Sequence, residues 1–126
     1  MQPFTELKVW QRSHELTLAV YRATRTFPDE ERFGVTSQLR RSSASVPSNI
    51  AEGSRRRTAN DFAHFLNQAE SSMAETEYHL LLSRDLGYLE PANAKALLAE
   101  ANEIARMLYS FRVKVEQGGR PGTPQT

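Results

Sequence analysis

The sequence has no cysteine among its 126 residues and no long apolar run. The absence of thiols excludes a disulfide scaffold, thiolate metal ligands and cysteine nucleophiles. A membrane-spanning helix needs about 18 consecutive apolar residues, and no stretch of this chain approaches that length. The first residues lack a basic segment followed by an apolar one, so no secretory signal is visible. We therefore expect a cytoplasmic protein without a membrane partner.

Sequence patterns of catalysis and metal binding are equally scarce. There is no Gly-x-Ser-x-Gly motif, no phosphate-binding glycine loop and no dinucleotide fingerprint. A di-metal site in a helical bundle needs a Glu-x-x-His pair on each of two helices. The nearest match is Asp61-x-x-His64, which occurs once. We expect no enzymatic activity, no cofactor and no metal.

What the sequence does contain is helical periodicity. Apolar and small residues recur at alternating spacings of four and three in four segments, which places each set on one stripe of a helix. This pattern predicts an all-α fold, an antiparallel up-and-down four-helix bundle with helices packed at roughly 20°. The four stripes are Val9, Ser13, Leu16, Val20, Ala23 and Phe27; Val35, Leu39, Ser42, Val46, Ile50 and Gly53; Phe62, Leu66, Ala69, Met73, Thr76 and Leu80; and Leu97, Ala101, Ile104, Leu108, Phe111 and Val115.

Residues that begin or end helices set the expected boundaries. Pro28 should end the first helix, because the residue before a proline is disfavoured in helical geometry. Thr58 should cap the third by accepting from the amide of Asp61, and Gly87 should end it in a left-handed conformation. Pro91 suits the first turn of the fourth helix.

The chain length is typical of one domain, since compact domains most often hold roughly 100 to 150 residues. We expect a single four-helix-bundle domain over residues 1–117. Residues 118–126 are polar and rich in proline and glycine, which predicts a disordered C-terminal tail.

The second segment departs from an ordinary helix. Its stripe is thin, with serines at positions where bulky residues are usual. Pro47 lacks an amide hydrogen and removes one helical hydrogen bond, so we expect a kink or a break there. Small side chains allow a neighbouring helix to approach closely, and that contact would compensate for the poor helix propensity.

Positive charge is concentrated in the same segment. Residues 32–57 hold six arginines and one acid, Glu52, although the net charge of the whole chain is only +1. The arginine fork suits phosphate and stacks on bases. On an unbroken helix, Arg41 and Arg55 would lie within about 40° of one face and about 21 Å apart, a spacing that could follow a phosphate backbone. The candidate nucleic-acid-binding residues are Arg40, Arg41, Arg55, Arg56 and Arg57.

Two other uses of these arginines stay open. They could pair with acids of the third and fourth helices or form a solvated face, or they could contact an acidic protein. The sequence pI of about 8.1 is lower than that of a typical basic nucleic-acid module. Glu77 lies beside the core stripe of the third helix; if it is half buried it needs a cation, and Arg41 or Arg55 is the candidate.

The most specific pattern in the chain is the segment Gln38–Arg55, which reads QLRRSSASVPSNIAEGSR. It resembles the four-helix-bundle family of proteins encoded in intervening sequences of bacterial 23S ribosomal RNA genes. Two departures from the usual residues, Ser42 and the pair Glu70-Ser71, are expected where subunits meet. The residues that carry the structural motif are Pro47, Asn49, Glu52 and Gly53.

The resemblance implies an up-and-down bundle that assembles into a ring, typically a homopentamer. The family is similar in fold to the accessory variability protein of diversity-generating retroelements, which binds reverse transcriptase and nucleic acid. A ring would repeat the arginine-rich segment and strengthen its positive field. The expected function is a non-enzymatic, RNA- or DNA-associated oligomer; the alternative is a protein–protein adaptor or scaffold without nucleic-acid binding. The aromatic residues expected at subunit contacts are Trp10, Tyr21, Tyr88 and Tyr109.

Overall fold

The computed structural model describes residues 3–118 and consists of four long helices with short connections. Each helix packs against its neighbours in the chain, and the first also packs against the last, which closes an up-and-down four-helix bundle. No strand occurs within the described residues, so the predicted all-α fold is confirmed. The helices are α1 (Lys8–Ala23), α2 (Val35–Ser54), α3 (Ala59–Asp85) and α4 (Pro91–Glu116), and three short 3-10 helices span Phe4–Glu6, Thr24–Thr26 and Asp29–Glu31.

The predicted stripes form the core of the bundle. Most stripe residues are buried, and only Ala23, Leu97 and Phe111 are partly exposed at its edge. The stripe residues without any exposed surface are Val20, Ser42, Val46, Ile50, Leu66, Ala69, Thr76, Leu80, Ala101, Ile104, Leu108 and Val115.

The expected helix boundaries are confirmed for α3 and α4. The hydroxyl of Thr58 accepts a hydrogen bond from the amide of Asp61 at 3.1 Å. Gly87 has a φ of +82°, and Pro91 is the first residue of α4. Gly118, with a φ of +89°, follows the end of α4; the rest of the predicted tail lies outside the described residues.

The end of α1 was predicted too late. The helix stops at Ala23, and a 3-10 turn leads on to Phe27 and Pro28. In this turn the carbonyl of Thr24 accepts from the amide of Phe27, and the hydroxyl of Thr24 donates to the carbonyl of Val20 at 2.9 Å. Such 3-10 turns are frequent at the ends of α-helices.

Pro47 does not break its helix: α2 continues to Ser54 with a buried Pro47 inside it. Because Pro47 has no amide hydrogen, the carbonyl of Ser43 loses its ordinary helical donor. The hydroxyl of Thr17 on α1 donates to that carbonyl at 3.0 Å. A neighbouring helix therefore satisfies the acceptor, which joins α1 to α2 at the proline.

Replacing Thr17 with valine is expected to lower the free energy of unfolding by about 1–2 kcal/mol, because the buried Ser43 carbonyl then has no donor. Urea denaturation measures the effect. Thr17→Ser is the control, since serine keeps the hydroxyl, and it should lose clearly less stability. Equal stability of the valine and serine variants would contradict this account of Pro47.

Small residues hold α2 against α3. The hydroxyl of Thr76 donates to that of Ser42 at 3.0 Å, and the hydroxyl of Ser72 donates to that of Ser45 at 2.9 Å. Ser42 has no exposed surface within a single chain. The expectation that Ser42 lies at a subunit contact is therefore wrong, and the serines instead pack the bundle, as their size predicted.

Candidate nucleic-acid interface

The five candidate arginines lie on two elements rather than one. Arg40 and Arg41 are on α2, whereas Arg55–Arg57 follow its last residue and form the connection to α3. We call Arg55–Arg57 the arginine turn. The prediction that the second helix carries the whole cluster is wrong for this turn, because α2 ends at Ser54 and Arg55 is its C-cap residue.

The side chain of Arg40 contacts two residues at the end of α1. Its Nε donates to the hydroxyl of Thr24 at 2.8 Å, and its guanidinium lies over the ring of Tyr21, 4.7 Å from the centroid. A guanidinium over an aromatic ring is attracted by the negative face of the ring. Arg40 thus ties α2 to the end of α1 while one side of its guanidinium faces away from the ring.

Arg41 pairs with α3. Its Nη2 contacts Glu75 and also donates to Oε1 of Gln38 at 3.0 Å. This confirms, for Arg41, the alternative that the arginines pair with acids of the third helix. The side chain of Arg41 is 54% exposed, and pairs in such contact with water contribute about 0–1 kcal/mol. A stronger anion could therefore compete with Glu75.

All three side chains of the arginine turn are exposed. The guanidinium of Arg56 lies 4.7 Å from the ring centroid of Phe65 and 3.7 Å from a carboxylate oxygen of Glu52. Arg55 lies over Phe4 at 5.8 Å. Arg57 is exposed and has no ion pair within residues 3–118. Three consecutive cations therefore meet solvent with one acid nearby.

Glu77 is half buried, but not against the arginines. Its side chain lines a groove between α3 and α4 together with Arg106 and Tyr109. Its Oε1 is buried and has no hydrogen-bond partner in the described part of the chain. Burial raises the pKa of this carboxyl, because desolvation disfavours the charged form.

The predicted pairing of Glu77 with Arg41 or Arg55 is wrong for a geometric reason. Positions two residues apart on a helix point about 200° away from each other. Glu75 therefore faces α2 and takes Arg41, while Glu77 faces α4. Arg106, which shares the groove, pairs with Glu103 at 2.8 Å instead.

The motif residues of α2 serve packing. Gly53 lies where α3 comes closest, and Asn49 donates to the carbonyl of Ser45 at 2.8 Å within the helix. Pro47 is buried inside α2. Glu52 is exposed and contacts the arginine turn. Apart from Glu52, this motif thus shapes the helix rather than the charged surface.

All four aromatic residues expected at subunit contacts also have contacts within the chain, since Arg40 lies over the ring of Tyr21 and Arg112 over that of Tyr109. The hydroxyl of Tyr88 donates to Oε2 of Glu31 at 2.8 Å, and Oε1 of Glu31 accepts from the amide of Val35 at 3.3 Å. Glu31 thereby joins the α3–α4 loop to the start of α2, and it raises the pKa of Tyr88 by accepting the phenol hydrogen. Trp10 stacks on His14.

Two ion pairs that sequence reasoning missed join helices elsewhere in the bundle. Arg12 of α1 donates to both carboxylate oxygens of Glu100 on α4, at 2.6 and 3.0 Å. Arg112 of α4 pairs with Glu70 of α3. Glu70, expected at a subunit contact, is therefore engaged within its own chain. No periodicity signal reveals such pairs, because they depend on which helix edges meet.

Two further kinds of feature are absent from residues 3–118. No group of three or more histidines, aspartates or glutamates is arranged to hold a metal ion in this region. None of the helices there combines the length and the apolarity that crossing a bilayer requires.

The structure defines a small up-and-down helical bundle with exposed cations at its α2–α3 turn. Residues 5–110 match the model of the family described as 23S rRNA-intervening sequence protein, and the chain belongs to that family. A solved structure of a protein of unknown function from the S23 ribosomal protein family of Bacteroides thetaiotaomicron is similar. It is 27% identical with a TM-score of 0.73, and the match covers 81% of this chain and 95% of that one. No curated protein matches significantly.

Proposed function

We propose that this protein is a non-enzymatic, oligomeric RNA-associated protein of the cytoplasm that contacts phosphates with its arginines. The observation that carries the proposal is the arginine turn, three consecutive exposed cations with Glu52 as their only acidic contact in residues 3–118. Phosphate groups are bound mainly by such cations, and their contribution does not depend on sequence. The residues proposed to contact RNA are Arg40, Arg41, Arg55, Arg56 and Arg57.

We further propose that the chain assembles with itself into a homopentameric ring. Support comes from exposed apolar side chains on the other half of the bundle: Tyr78 and Leu81 on α3 and Tyr109 on α4. Contacts there would leave the arginine turn open in each subunit. Five turns in one ring would give a stronger positive field than a chain of net charge +1.

Replacing Arg55, Arg56 and Arg57 together with glutamine tests the proposal. RNA affinity should fall by at least about tenfold, and the slope of log affinity against log salt should become shallower by about 2, since each phosphate contact to a single strand contributes about 0.7. Fluorescence anisotropy of a labelled RNA across a salt series provides both values.

The matched control removes the same charge elsewhere, through Arg84→Gln, Lys95→Gln and Arg106→Gln, all exposed on α3 and α4. This variant should keep the slope of the wild type. If both triple variants lost the same RNA affinity, only the net charge of the protein would determine binding, and the assigned interface would be wrong.

The alternative is an adaptor that binds proteins and no nucleic acid. The contacts of Arg40 with Thr24 and of Arg41 with Glu75 favour the adaptor, because two of the candidate arginines already bond to groups of their own chain. In that case the arginine-turn variant would form smaller species by light scattering, and the wild type would bind no RNA at physiological salt.

A further inference from the structure

Aromatic rings follow one edge of α1 beside the arginines. Trp10, His14 and Tyr21 are spaced by four and seven residues, which places them along one side of the helix over about 16 Å. The exposed Leu18 lies between them in the chain. We call Phe4, Trp10, His14 and Tyr21 the aromatic edge.

The three rings at the start of this edge contact one another in series. The rings of Trp10 and His14 are nearly parallel, with an interplanar angle of 13° and centroids 4.9 Å apart. Phe4 meets Trp10 edge-on at 5.2 Å. All three side chains are half buried, so they are held in place while part of each reaches the surface. Ordered rings lose little conformational freedom when a further ring stacks on them.

Each end of the aromatic edge carries an arginine of the candidate cluster. Arg55 lies over Phe4 at one end, and Arg40 lies over Tyr21, which is 42% exposed, at the other. Bases of single-stranded RNA stack on aromatic rings and on guanidinium planes, while paired bases in a duplex are already stacked on one another. A duplex would gain only the phosphate contacts.

We propose that the aromatic edge makes this protein a binder of single-stranded rather than double-stranded RNA, with bases stacked on His14 and Tyr21 between phosphates held by Arg40 and Arg55. This inference rests on the proposed function and adds the substrate class. The edge supplies a base-stacking surface, and the arginines at its two ends mark the line along which the strand would lie.

The chain provides its own probe, because Trp10 is its only tryptophan. A 12-nucleotide unstructured RNA and a 12-base-pair RNA duplex are titrated at equal salt, with labelled-RNA anisotropy and Trp10 fluorescence as readouts. The single strand should bind at least about tenfold more tightly than the duplex and should change the Trp10 fluorescence. The reason is that each base stacked on an aromatic ring raises the affinity by roughly a factor of ten.

Tyr21→Ala and His14→Ala should each weaken single-strand binding by about five- to tenfold and leave duplex binding within about twofold. Tyr21→Phe keeps the ring and should restore binding. The matched control is Phe33→Ala, which removes an 84% exposed ring that belongs neither to the aromatic edge nor to the proposed assembly surface and should have no effect.

Two results would overturn the inference. If RNA binds through the arginine turn but Tyr21→Ala and His14→Ala change nothing, the stacking edge is wrong and the proposed function stands. If neither RNA form binds the wild type at physiological salt, both fail.

Discussion

Replacing Gly53 with valine is expected to lower the free energy of unfolding by about 3 kcal/mol. A Cβ atom at this position would lie 2.7 Å from Cβ of Phe65 and 3.0 Å from Cδ1 of Phe62. Both neighbours belong to α3, and the Cβ of Phe65 cannot move without its backbone. Overpacking of a close-packed helix contact costs about 1–3 kcal/mol, and a branched side chain takes the upper end of that range. Urea denaturation with far-UV circular dichroism measures the loss.

Ser48→Val is the matched control, because it places the same β-branched residue at an exposed position of the same helix. Its effect on helix propensity should stay within about 0.5 kcal/mol. If Gly53→Val lost no more stability than Ser48→Val, α2 and α3 would not approach as closely at Gly53 as described.

Arg112→Met is expected to cost about 2–3 kcal/mol. Arg112 pairs with Glu70 across the α3–α4 contact, and the two side chains are only 19% and 21% exposed. Methionine retains the aliphatic packing of arginine but leaves a partly buried carboxylate without its cation. Removing one partner of a buried pair costs about 3–5 kcal/mol, and the remaining exposure of this pair reduces that figure.

Adding Glu70→Leu to Arg112→Met should recover most of the lost stability, because the other acid that pairs with Arg112 in residues 3–118, Glu116, is 47% exposed and stays hydrated. Arg106→Met serves as the control, since Arg106 is 71% exposed and its pair with Glu103 should contribute little. If the double variant were as unstable as Arg112→Met alone, the loss of stability would come from altered packing rather than from the unpaired carboxylate of Glu70.

Local chemistry was sufficient to predict most of the helix ends. Thr58 and Gly87 act through groups within a few residues of themselves, so the sequence contains the whole interaction. The end of α1 was not predicted in this way, because the 3-10 turn at Thr24–Thr26 begins before Pro28.

Contacts between helices could not be predicted in the same way. The donor to the carbonyl that Pro47 leaves without its helical partner is Thr17, 30 positions earlier, and whether Glu77 meets an arginine depends on which neighbour its side of α3 faces. The aromatic edge likewise meets Arg40 and Arg55 only because α1 and α2 lie side by side.

The sequence by itself therefore determined the four helices, their buried stripes and the concentration of arginine between residues 32 and 57, because periodicity and charge are properties of neighbouring residues. The tertiary structure alone decided which arginines bond to groups on other helices and which remain exposed. An ion pair or a ring contact needs two side chains within a few ångströms, and that distance is set by how the helices pack.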